Sequence, residues 1–152
     1  MKLTTEENSK LLDAIPLIAA YVAFADGRLD DKEVDSAKRV ASLRRFSGDF
    51  EPEIRNYYKE VFENFDTRFS ELVARLPNEE MERNNFLESE LKEINQLIQK
   101  LNPLFGIQLL KTFKSFAMHV AKAEGGIMQM GAYGPKEAKA IKLSMLEEID
   151  TL

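Results

Sequence analysis

The chain has 152 residues, the length of one domain, and no cysteine, which excludes disulfides, thiolate metal sites and cysteine nucleophiles. Lysine and arginine total 21 against 26 for aspartate and glutamate, a net charge of −5, which argues against a broad nucleic-acid surface. The first residues lack a basic start followed by an apolar run, so we expect no secretory signal, and no stretch near the start reaches the roughly 18 apolar residues that a membrane span needs. We expect one cytoplasmic domain over residues 1–152, with neither membrane insertion nor nucleic-acid binding.

The first predicted elements are helical. Thr4 and Glu7 form a capping-box pair, which marks the start of a helix. An apolar stripe with helical spacing continues to Val22, and Pro16 inside that stripe either kinks the helix or begins a second one. Asp26-Gly27 then ends the helical pattern.

Four more helices are predicted after this turn. The next one opens with acids at Asp30 and Glu33, an N-cap residue followed by its capping-box partner. The apolar spacing then predicts one long helix over 52–76, another over 79–101 and a third from 103 to about 123. The third has one narrow polar stripe, so we expect it to be the central helix of the bundle; the stripe comprises Gln108, Lys111, Ser115, His119 and Lys122.

The helical pattern lapses after Ala123. Four of the seven glycines fall between 124 and 135, which predicts a loop over residues 125–134 that is rich in glycine and methionine. This loop is either a flexible surface for a partner or a lid over the core. A closing helix is expected from Pro135 to about Ile149.

The turn at Asp26-Gly27 has a second copy late in the chain. Residues 21–29, YVAFADGRL, align without gaps on residues 119–127, HVAKAEGGI. In both copies small residues precede an acid-glycine pair, and an aliphatic residue follows two positions later. The sequence therefore predicts an all-α bundle of six to seven helices with two pseudo-repeated corners, each a helix, an acid-glycine turn and a helix.

The pattern of VAFADGRLDDKE at 22–33 and HVAKAEGG at 119–126 resembles the TerB-like family of tellurite-resistance proteins. The resemblance covers both corners. It implies a cytoplasmic helical bundle with an acidic surface, metal binding, and a role in tellurite or stress resistance beside membrane-associated partners. Similar domains also occur attached to J-domain co-chaperones.

The acids of the two corners are the candidate metal ligands. Asp26 to Glu33 match the second half of an EF-hand loop, but Val22 and Phe24 occupy the first two ligand positions, which rules out a complete EF-hand. The first corner therefore offers Asp26, Asp30 and Glu33 to Ca²⁺ or Mg²⁺, and a twofold relation between the corners would add Glu124 and Glu137. The alternative is that these acids only cap helices.

No catalytic constellation accompanies these acids. His119 is the only histidine, and no nucleophile elbow or phosphate loop is present. We therefore expect a non-enzymatic TerB-like interaction module that docks a protein partner in a stress or tellurite-resistance system, with or without a divalent cation at the corner. The alternative is an ion-free homodimerisation domain or a regulatory domain of co-chaperone type.

Overall fold

The structure, a computed structural model, describes residues 3–25, 31–129, 143 and 146, and within 123–129 it describes the backbone alone. These residues form seven α-helices and no strand, which confirms the predicted all-α class. None of the helices is long and apolar enough to cross a membrane. In chain order they are α1 (Thr5–Leu12), α2 (Ala14–Ala23), α3 (Asp31–Arg44), α4 (Pro52–Glu63), α5 (Phe65–Arg75), α6 (Glu80–Lys100) and α7 (Pro103–Gln129).

The N-terminal region contains two helices rather than one kinked helix. The predicted capping box is confirmed, since the Glu7 amide donates to Thr4 Oγ1 at 3.0 Å and the Thr4 amide donates to Glu7 Oε1 at 2.9 Å. Helix α1 ends at Leu12, and Pro16 lies in the first turn of α2. Pro16 therefore lies at the start of a second helix and does not kink a single one. The amide hydrogen that proline lacks would have no partner within the first turn of a helix.

Helix α2 is the most deeply buried element. All ten of its residues are buried, and it packs against α1, α3, α5, α6 and α7. A helix that is apolar on every face must be surrounded by other elements. Helix α7, the predicted central helix, packs on α2, α3, α4 and α6 and keeps the polar stripe expected of it, so among the described helices it is α2 that is enclosed on every face.

The helix predicted over 52–76 is interrupted. Asn64 adopts φ −117° and ψ 11° between α4 and α5, and its side-chain amide donates to the carbonyl of Glu60 at 3.2 Å. Asparagine side chains compete with the helix for backbone partners in this way. The apolar spacing runs unchanged across the break, so periodicity alone predicted one helix where the structure has two.

Helix α7 extends beyond its predicted end. It runs to Gln129 and includes Gly125 and Gly126, so the turn predicted at Glu124-Gly125 and the first part of the predicted loop are wrong. Each glycine costs about 1 kcal/mol relative to alanine inside a helix, which is too little by itself to end a long packed helix. The rest of the predicted loop and most of the closing helix lie outside the described residues, although Leu143, at φ 45°, is not helical.

Candidate functional site

The first corner has the predicted outline. Helix α2 ends at Ala23 and α3 begins at Asp31, and the two helices pack against each other. Asp26 and Asp30 lie outside the described residues. Glu33 lies in the first turn of α3 with only 1% of its surface exposed. Of the three candidate ligands in this corner, the structure therefore places one, and that one is in the interior.

The second corner contributes no placed carboxylate. The backbone of Glu124 is part of α7, while its side chain and the whole of Glu137 lie outside the described residues. Among the side chains that are described, no three or more histidines, aspartates and glutamates are grouped as a metal site. A meeting of Glu33 with Glu124 and Glu137 stays a prediction.

A buried cation lies beside the first corner, which sequence reasoning missed. Arg83 of α6 is 6% exposed, and its guanidinium carbon lies 4.4 Å from the ring centroid of Phe24, the residue that follows α2. Its Nη1 also donates to the carbonyl of Asn78 at 3.4 Å. The guanidinium therefore places a positive charge beside the end of α2.

The sequence does carry a signal for this buried arginine. Arg83 lies four residues before Leu87 and eight before Leu91, both fully buried, and residues with this spacing share one face of a helix. An arginine in the register of an apolar stripe is therefore a candidate for burial, although its partner cannot be identified from the stripe.

Arg44 is a second buried cation, at the opposite end of α3 from Glu33. It is 8% exposed. Its Nη1 donates to the hydroxyl of Tyr58 at 2.9 Å and to the carbonyl of Thr112 at 2.7 Å, and its Nη2 donates to Ser115 Oγ at 2.6 Å. These bonds join α3 to α4 and α7, and every acceptor is an uncharged oxygen.

Aromatic rings complete the surroundings of Arg44. Its guanidinium carbon lies 5.7 Å from the ring centroid of Phe50, 5.1 Å from that of Tyr58 and 5.8 Å from that of Phe116, distances at which a cation is attracted to the ring face. Burial raises the pKa of Tyr58, while Arg44 and a bond to Thr112 oppose the rise. Tyr58 therefore stays protonated at neutral pH, and the cluster serves packing rather than proton transfer.

His119 is exposed on α7, which confirms its predicted place on the polar stripe. Its pKa is lowered from 6.5, first by partial burial and then by the positive charges of Arg44 and Lys122. The imidazole is therefore mainly neutral at physiological pH.

Comparisons with protein-family models, with curated proteins and with solved structures give no match to this chain. The resemblance to the TerB-like family therefore stays a prediction from the two sequence motifs.

Proposed function

We propose that this chain is a non-enzymatic, TerB-like interaction module that works in the cytoplasm, in a stress or tellurite-resistance type of system, by docking a protein partner that can itself be attached to a membrane. The TerB-like motif at residues 22–33 supports the family. The lack of cysteine and the single histidine support a role without catalysis.

The observation that carries this proposal is the burial of Glu33. A carboxylate with 1% exposure requires hydrogen bonds or a cation, because an isolated ionised acid is very costly to bury. It also lies at the N-terminal end of α3, where the helix dipole favours negative charge. This burial supports a role for Glu33 either as a cap for α3 or as a ligand of Ca²⁺ or Mg²⁺.

A calcium and magnesium titration tests the cation part of the proposal. Isothermal calorimetry of the wild type should give saturable heat at millimolar cation, and the double variant Asp26→Asn with Glu33→Gln should lose it. The matched control is Asp35→Asn with Glu71→Gln, which removes the same charge at two exposed positions and should bind as the wild type does. Absence of heat, or equal heat in both double variants, contradicts a cation at the corner.

The alternative is an ion-free domain for homodimerisation or for regulation of co-chaperone type. The position of Arg83 favours it, because this buried arginine lies 4.4 Å from the ring centroid of Phe24 and so supplies a positive charge beside the end of α2. Light scattering of the wild type and of a variant lacking residues 126–134 tests the dimer. Association that disappears with those residues supports the alternative, and a monomer in both cases contradicts it.

A further inference from the structure

A continuous groove runs between the first turns of α4 and those of α7. It consists of three adjoining cavities of about 210, 450 and 400 Å³. The first two share Glu51 and Gln108 in their linings, and the last two share Glu53 and Phe105. We call this feature the α4–α7 groove, with residues 49–60 on one wall and 101–112 on the other.

The α4 wall of the groove is acidic. Asp49, Glu51, Glu53 and Glu60 line it and are all exposed, while Lys111 is the one cation among the lining residues named for these cavities. None of the four acids has an ion-pair partner within the described part of the chain. They therefore present negative charge to any molecule that enters the groove.

The floor of the groove is apolar. Leu11 and Tyr57 are 3% and 6% exposed, and the Tyr57 hydroxyl donates to the Leu11 carbonyl at 2.6 Å, which fixes this part of the floor. Phe105 is half-buried beside them, and Leu104 on the rim is 73% exposed. Large leucine surface next to a concave apolar floor is typical of a docking site.

A second copy of the chain that used its described basic surface is a poor occupant of this groove. Within the described part of the chain, that basic apolar surface consists of Leu43, Arg45 and Phe46, where the Arg45 guanidinium lies 4.5 Å from the Phe46 ring centroid and 4.3 Å from that of Phe62. Helical spacing places Phe62 on the opposite side of α4 from Glu53 and Glu60. The basic surface and the groove therefore lie on opposite sides of α4. A contact between the basic surface of one copy and the groove of another runs head to tail and does not close into a twofold dimer.

We propose that the α4–α7 groove binds a basic amphipathic helix of a partner protein, with the apolar face of that helix on Leu104 and Phe105 and its lysines and arginines against the α4 wall. This inference rests on the proposed interaction function and places its docking surface at the groove. Two helices with an apolar cleft between them accept a third helix by the recognition mode of helix-in-groove complexes.

The test uses a labelled 18-residue helical peptide of leucine and lysine, with leucine on one face, and measures fluorescence anisotropy. The wild type should bind it saturably and more weakly at higher salt. The groove variant, Glu51→Lys with Glu53→Lys and Glu60→Lys, should lose about tenfold or more in affinity. The matched control, Asp35→Lys with Glu71→Lys and Glu82→Lys, changes the net charge equally at exposed positions away from the groove and should lose much less.

Each other outcome has a defined meaning. Equal losses in the two triple variants show attraction by net charge alone and overturn the groove. A loss confined to Asp26→Asn with Glu33→Gln keeps the proposed interaction function and places docking at the corner, which also overturns the groove. No saturable binding by the wild type counts against the groove, and self-association that only the groove variant loses identifies a second copy as the occupant.

Discussion

Helix α3 and the α4–α7 groove use charged residues in opposite ways. Helix α3 buries a charge at each end, with Glu33 at 1% exposure and Arg44 at 8%. The groove keeps four carboxylates exposed along one wall. The difference separates charges that hold helices together from charges that remain available to a partner, and it shows that an acid-rich sequence motif does not by itself mark the binding surface.

The largest expected effect is at Arg44. Its replacement by alanine leaves the Thr112 carbonyl and Ser115 Oγ without their cationic donor and removes contacts with aromatic rings. We expect Arg44→Ala to lower the free energy of unfolding by about 2–4 kcal/mol. The control Arg39→Ala, at an exposed position of the same helix, should stay within about 0.5 kcal/mol. Urea unfolding measures the free energy of unfolding of both variants. Similar losses would show that the buried Arg44 stabilises the fold no more than the exposed Arg39 does.

The next effect is at the other end of α3. Glu33→Ala should lower the free energy of unfolding by about 1–3 kcal/mol, because it removes a buried polar group and the acid of the first helical turn. Glu53→Ala, in the groove, should change it by less than about 0.5 kcal/mol. A groove acid that proves as important for stability as Glu33 would contradict the assignment of the groove acids to binding.

A smaller effect concerns Glu7, a half-buried acid of α1. A hydrogen bond from Lys100, with Nζ 2.7 Å from Oε2, lowers the pKa of Glu7 from 4.5. The stability that this contact provides is present above pH 4.5 and declines as the pH falls through the lowered pKa. Lys100→Met should raise the pKa of Glu7 towards 4.5 in an NMR titration, whereas an unchanged value would show that the pair does not form in solution.

The smallest effect is at His119. Because its pKa is lowered in the folded protein, protonation opposes folding, so its contribution to stability is complete above pH 6.5 and declines as the pH falls below that value. When the pH is lowered from 7.5 to 5.5, the melting temperature of the wild type should therefore fall more than that of His119→Asn. The difference between the two changes should be under about 2 °C. An identical pH dependence of the melting temperature in both proteins would show that protonation of His119 is not linked to folding.

Local signals in the sequence predicted much of the fold. The capping box at Thr4 and the periodicity of α6 each depend on neighbouring residues, and the structure has both. The break at Asn64 and the continuation of α7 through Gly125 were predicted wrongly. Each residue changes the local helix propensity by only about 1 kcal/mol, so packing decides whether the helix continues.

The groove could not be predicted from local patterns. Glu53 and Leu104 are 51 positions apart, and their nearness follows from how α4 and α7 cross. The partners of Arg44 are equally distant in sequence: Tyr58 is in α4, while Thr112 and Ser115 are in α7. For Arg44, the sequence indicates the burial but not the partners, since Ala37 and Ala41 precede it on the same apolar face of α3.

The most direct test of the account is a map of peptide contacts on the folded chain. Amide chemical shifts of the ¹⁵N-labelled protein should be followed during titration with the leucine-lysine peptide. We predict that the largest changes fall within residues 49–60 and 101–112, with little change at residues 31–35. Changes concentrated at the start of α3, or spread evenly over all acidic surfaces, would contradict the assignment of partner binding to the α4–α7 groove.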